Sequence, residues 1–390
     1  MILRKFLKCL EKDGFPRRLR AAGAADPHYR VECNGTVAKP KPKLRDRLAG
    51  TVDLGHREAE SGVFLVMALL IDAHVHCVGD GSSGSGCWID LRSPWRRLVG
   101  RALVRSAGLP SSLLRDGGLD EAYVAQVVRW VRESSLDRVV LLAQDEVYRD
   151  DGTRMDGVAM FHVPNAHVLR LAREHGEIIP AVSIHPSRPD ARAELDRCLE
   201  AGARVLKLLP NVHGVECSAP RHRDFWKAMA AGGMVLLAHT GGEATLPVVA
   251  RHLESPEVLR GPLECGVVCI AAHGAGRNAP LGAHYTPRLL RMMREYPHLY
   301  ADSSALTTMN RFGTLPELLA SGVHDRVLHG SDYPVPVVPW GPWLGGRYDL
   351  DSARYLHGIG NPLERDYRAK RLMGFGEASF TRLGGLLGLG

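Results

Sequence analysis

Apolar and polar residues follow each other along this chain in two rhythms, one of strand length and one of helical period. Apolar runs bounded by turn residues occur at Val63–His76, Arg138–Ala143, Ile178–His185 and Arg204–Leu209. Four more follow at Met234–His239, Val267–His273, Leu299–Asp302 and Val327–Asp332. Between them, apolar positions three and four apart predict helices at Leu119–Ser134, Asn165–His175, Asp190–Ala201 and Arg223–Ala231. The same spacing predicts helices at Thr245–Leu253, Pro287–Tyr296 and Pro316–Ala320, with helical stretches near Leu363–Met373 and Ala378–Leu387 closing the chain. The strand-type runs are apolar on both faces, as strands of a covered parallel sheet must be. Eight strands alternating with helices predict an α/β fold, a (β/α)8 TIM barrel over residues 61–390. A doubly wound open sheet is the alternative.

Two stretches break the rhythm. Cys77–Gly118 opens with Gly79-Asp-Gly-Ser-Ser-Gly-Ser-Gly-Cys-Trp88, a composition that predicts a flexible loop. Residues 1–60 hold fourteen Lys/Arg against eight Asp/Glu, a net +6 of the chain's +7, so they form a basic extension on a nearly neutral body. Within it, Lys39-Pro-Lys-Pro-Lys43 reads as an extended linker, since proline resists helix. Met67 just before the first strand offers a second place for translation to start.

Composition narrows the class. No apolar run approaches the roughly 20 residues that span a bilayer, and the first ten residues lack the apolar core of a secretory signal. The eight cysteines are scattered with no Cys-x-x-Cys pair, which suits reduced thiols and predicts a cytoplasmic protein. No nucleic-acid motif or aromatic interleaving accompanies the basic extension, so neither nucleic acid nor membrane is expected as a partner. A small-molecule substrate is expected, and homo-oligomerisation is left open.

Candidate chemistry gathers at the strand ends. Leu69–His76 ends in His-Val-His, and strand alternation puts His74 and His76 on one face, where two imidazoles can hold one divalent ion. In a (β/α)8 barrel the active site lies at the C-terminal ends of the strands. Besides the pair on the first strand, those ends carry His185 on the third, Lys207 within the fourth, His239 on the fifth, His273 on the sixth and Asp332 on the eighth. Glu243, four residues after His239, can face the same mouth, while an acid at a helix N-terminus is its commoner role; Arg221, His222 and Trp88 sit in loops that can contact substrate, while ordinary surface is the commoner role for them.

This set resembles the amidohydrolase superfamily. The Ile71-Asp-Ala-His-Val-His76 start, Leu237-Ala-His-Thr-Gly241, Gly330-Ser-Asp-Tyr-Pro334 and the helical C-terminus are similar to its amidohydrolase family 2 branch. The resemblance covers roughly residues 68–390 and implies a divalent metal, zinc before others, as one or two ions. It implies His74, His76, His239 and Asp332 as ligands, with His273 added for two metals. Lys207 would join them if carboxylated, and otherwise would bind a substrate carboxylate beside His185. Asp332 and His273 carry the catalytic roles, the first as proton acceptor and donor, the second by polarising the substrate carbonyl. Asp302 on the seventh strand has no ligand role in the family.

The expected activity is a metal-dependent hydrolase that uses metal-activated water on a small carbonyl compound such as an amide or lactone. A nonoxidative decarboxylase or hydratase on the same scaffold is the nearer rival. A non-catalytic binding protein with a basic arm is the rival from another class, and it leaves the strand-end residues without purpose.

Overall fold

A computed structural model of the chain describes residues 68–243, 245–278 and 282–389. The basic extension, the Lys39–Lys43 linker, Met67 and the first part of the predicted first strand, residues 63–67, lie outside the described residues.

Eight parallel strands form one sheet in chain order: β1 Ile71–His76, β2 Arg138–Leu142, β3 Ile178–Val182, β4 Val205–Leu208, β5 Val235–Ala238, β6 Cys269–Ala271, β7 Leu299–Asp302 and β8 Val327–Leu328. The sheet closes on itself. His329 O accepts from Ala73 N at 2.9 Å, His74 O from Asp332 N at 2.9 Å, and Tyr333 O from His76 N at 2.8 Å. The predicted (β/α)8 barrel is therefore the observed fold.

Strand alternation separates two cores. Val140 and Leu142 of β2 join Ile71, Ile179, Val205, Val235 and Ile270 inside the barrel, whereas Val139 and Leu141 face outward to the helices. The helix Leu119–Arg132 buries Tyr123, Val124, Val127, Val128 and Val131, one apolar stripe of helical period, against that outer layer. The last helix, Glu377–Leu386, packs elsewhere: Leu383, with Leu387 just beyond it, joins the interior cluster, and Ile71 Cδ1 lies close to Gly384. Burial of each leucine contributes about 1.5–3 kcal/mol.

Two expectations are corrected. The predicted helix Thr245–Leu253 is absent, and only the short turn Arg251–Glu254 is helical. Pro247 lacks an N–H, and Asn211 O takes both Val249 N and Ala250 N at 2.9 Å, which uses these donors across the loop instead of along a helix. The glycine- and serine-rich segment is not loose. Asp120 accepts from the backbone N–H of Asp80, Gly81 and Ser83 and from the hydroxyls of Ser83 and Ser85, at 2.6–3.1 Å. Its Gly79, Gly81 and Gly84 fall at the spacing of a dinucleotide loop, yet no helix starts there; the carboxylate of Asp120 shapes the turn. Beyond it, Trp88–Ile89 pairs antiparallel with Phe161–His162, and Pro94–Ser106 is a helix capped by Ser93.

Asp120 generates a prediction with a definite sign. Burial alone would raise its pKa, but the hydroxyl and N–H donors outweigh that and hold it well below the usual carboxylate range. A depressed carboxyl contributes stability that is present above its unfolded pKa, near 4, and is lost as pH falls through the folded value. Asp120→Asn is expected to lower stability at pH 7 by about 2 kcal/mol, since hydrogen bonds to charged groups are each worth about 1.5–3 kcal/mol. Thermal unfolding at pH 7 and pH 3 checks this: the gap between the two proteins should narrow at the lower pH.

Candidate metal centre

The C-terminal end of β8 is bent to bring its carboxylate home. Gly330 sits where any side chain would collide with His74, a Cβ there lying 2.9 Å from His74 Cβ, so glycine lets the two strands approach. Asp332 then takes a left-handed backbone, φ 67°, and His273 does the same after β6, φ 59°. Such a conformation costs a non-glycine residue about 1–2 kcal/mol. Both turns are held by hydrogen bonds: Asp332 N to His74 O, and His273 N to Asp302 Oδ1 at 2.8 Å.

Three of the predicted ligands, His74, His76 and Asp332, meet. Asp332 Oδ1 lies 3.2 Å from His74 Nε2 and 3.1 Å from His76 Nε2. The ring of His273 is 5.2 Å from that of His74 and 4.8 Å from that of His239. Lys207 Nζ lies 2.9 Å from His74 Nε2 and is fully buried. His185 does not join them. Its Nε2 donates to His213 O at 3.0 Å, its Nδ1 accepts from Ser187 N, and its ring packs against Tyr148 and His213.

Asp302, left out on sequence grounds, organises the group. Its Oδ2 accepts from His74 Nδ1 at 2.8 Å, and its Oδ1 accepts from the backbone of His273 and from the backbone and hydroxyl of Ser304. With the Ser304 hydroxyl spent on Asp302, Ser304 O and Oγ must accept from His273 Nδ1. His273 Nε2 is then an acceptor and takes the Nδ1 proton of His239 at 3.1 Å. The network thus assigns the Nδ1–H tautomer to all three imidazoles; it turns the Nε2 lone pairs of His74 and His239 inward, while that of His273 is taken by His239. Burial alone would raise the Asp302 carboxyl, but the charge and hydrogen bond of His74 hold it well below the usual range.

This arrangement fits a divalent cation. His74 Nε2 and Asp332 Oδ1 are both acceptors 3.2 Å apart, and the Lys207 ammonium, 2.9 Å from His74 Nε2, supplies in this structure the positive charge that such a pair calls for. Ligand atoms bonded at about 2.0–2.1 Å in a tetrahedron stand roughly 3.3 Å apart, close to the separations seen. His239 Nε2 is buried and has no hydrogen-bond partner among the described residues; the nearest carboxylate oxygen, Glu243 Oε2, is 3.7 Å away. Burial, with Lys207 for His74 and Arg311 for His239 and His273, lowers all three imidazole pKa values, so they are neutral, the form that binds metal. Lys207 is drawn down to about 8 by burial against the pull of Asp332 and Asp302.

The loop candidates divide. Glu243 folds back onto Leu246 N and Thr245 N while facing His239. Arg221 pairs with Asp150 at the exposed surface, and Trp88 is half-buried in the short strand that pairs with Phe161–His162. His222, expected at the surface, is buried. His213 is fully buried between Gln144 and His185. His329, just past β8, packs against Phe380 and Tyr367 of the C-terminal helices. Asp302 and Ser304 lacked any motif, but a charged residue ending an apolar strand beside two mouth histidines was the available signal.

Imidazoles and a carboxylate gathered at this end of such a barrel define a metal-dependent class, most of whose members are enzymes. Residues 71–355 match the amidohydrolase family profile, and the chain belongs to the amidohydrolase family, in its family 2 branch. Among solved structures it is similar to an uncharacterized TIM-barrel protein from Bordetella bronchiseptica, at 15% identity and TM-score 0.51, covering 82% of this chain and 99% of that one. It is also similar to a putative 2-pyrone-4,6-dicarboxylic acid hydrolase from Pseudomonas putida, at 12% identity and TM-score 0.50, covering 82% and 98%. These likenesses are of fold. No curated protein sequence matches the chain. Among the described residues, no helix is long and apolar enough to cross a membrane.

Partners that fix a ligand's tautomer typically change metal affinity 10–100-fold when removed. Asp302→Asn is therefore expected to weaken metal binding by that factor while far-ultraviolet circular dichroism stays as in the wild type. Competition with a chromogenic chelator measures it.

Proposed function

We propose that the protein is a zinc-dependent hydrolase of a small carbonyl compound, an amide or lactone. The observation that supports this best is the convergence of His74 Nε2 and His76 Nε2 on Asp332 Oδ1, with the His74 lone pair turned inward by Asp302. A zinc ion bound there would supply a Lewis acid and hydroxide near neutral pH.

The chain's own residues do the rest. His74, His76 and Asp332 are the first ligands, and His239 Nε2, buried without a hydrogen-bond partner among the described residues, is the candidate fourth. Asp332 is held well below the usual carboxylate range: burial would raise it, but His74, His76 and Lys207 outweigh that. It is ionised at neutral pH, so its carboxylate accepts the proton of the attacking water and returns it to the leaving nitrogen or oxygen. His273 is the Nδ1–H tautomer with its Nε2 lone pair taken by His239 Nδ1–H, so both its nitrogens are engaged and its role is to orient His239 rather than to touch the substrate carbonyl. Lys207 holds the His74 lone pair in this structure, and an ion in its place would leave the ammonium free for a substrate carboxylate.

The test is a substrate panel of amides, lactones and carboxylic acids with metal-loaded protein, scored for acid or amine release and for carbon dioxide release. Ring or amide opening is expected, with Asp332→Asn lowering kcat by about 10²–10⁴-fold. Carbon dioxide release without hydrolysis would replace the hydrolase reading with the decarboxylase one. A purified chain that binds no divalent metal would end both. Mass spectrometry after bicarbonate treatment reads Lys207 separately, and no mass gain is expected there.

A further inference from the structure

Arg311 lies in the loop after β7 and was not singled out by its sequence context. It is only 6% exposed. Nη2 donates to Gly242 O at 2.7 Å, three residues beyond His239, which fixes the guanidinium at the mouth. Nη1 is buried and has no hydrogen-bond partner among the described residues. A guanidinium keeps its proton in proteins, and a buried cation without a counter-charge in contact is costly. Glu243, the acid whose field acts most on it, spends one carboxylate oxygen on the N–H groups of Thr245 and Leu246.

Other unpartnered buried atoms share this mouth. Gln144 Oε1 follows β2, Asn211 Oδ1 and Nδ2 follow β4, and His239 Nε2 follows β5. Buried polar groups are nearly always satisfied, so several such atoms just past the C-terminal ends of three strands mark where a polar ligand belongs. Arg311 also stands beside the reacting groups. Its charge is the strongest electrostatic influence on both His239 and His273, after burial.

Resting on the hydrolase reading, we propose that Arg311 is the specificity residue of this site and binds a carboxylate of the substrate through its free Nη1 edge. The substrate is then an anionic carbonyl compound, its carboxylate on Arg311 and its reacting carbonyl toward Asp332. The amides of Gln144 and Asn211 are placed for its remaining polar atoms. A charge-assisted hydrogen bond is about twice as strong as a neutral one, and a buried donor left unpaired rejects the neutral analogue.

Titration calorimetry of metal-loaded protein with benzoate and benzamide, equal in shape and different in charge, tests it. The wild type is expected to prefer benzoate, and Arg311→Met to lose at least tenfold of that preference. Because zinc itself attracts carboxylates in both proteins, the difference between them is the quantity that counts. Arg311→Lys, which keeps the charge but not the planar fork, is expected to fall between them. An Arg311→Met protein with the wild-type preference overturns the proposal, as does a wild type with no preference. Should Arg311→Met fail to fold, an unchanged preference in Arg311→Lys overturns it. Metal content of each preparation, measured alongside, reports on the hydrolase reading by itself.

Discussion

Around the carboxylate of Asp302 the rest of the centre takes its orientation. Two oxygens hold one imidazole directly, a second through Ser304, and the backbone turn that carries that second imidazole. From there the proton order passes to His239. Without this anchor each ring would be free to present N–H or lone pair to the middle of the site, and only one arrangement leaves several lone pairs facing one another. That arrangement is unfavourable alone and favourable around a cation. Opposed acceptors of this kind suit a divalent cation, and Asp302 holds His74 from the far side of its ring, at Nδ1.

The barrel makes this possible by geometry. Parallel strands point all their C-terminal ends one way, so residues hundreds of positions apart share one mouth. Close approach at that mouth is limited by side-chain bulk, which is why Gly330 stands against His74 and why Gly241, φ 81°, abuts Gly276 O at a distance no Cβ would tolerate. The positive backbone angles of His273 and Asp332 belong to the same economy: each departs from the strand so that its side chain turns inward.

Much of this was legible from residue order. Apolar runs of strand length bounded by turn residues marked the eight strands, and His74, His76, Lys207, His239, His273 and Asp332 at their ends marked the mouth. What escaped has a common cause. Asp302 and Ser304 act by hydrogen bonds to groups far away in sequence, which no local pattern records. Arg311 lies in an irregular loop whose path depends on tertiary contacts. The helix expected at Thr245–Leu253 failed because Asn211 O claimed its donors, a competition visible only once the chain is folded. The segment after His76 looked loose because glycine and serine are flexible by themselves; a single acid forty residues later supplies the order.

The final helix has a consequence for how the molecule is made. Leu383 and Leu387 seal the floor of the barrel beneath Ile71, although the family profile ends at residue 355. The eight strands alone therefore do not finish the interior: a cylinder without the helix Glu377–Leu386 is open to water at its base, with Ile71 and its interior neighbours uncovered.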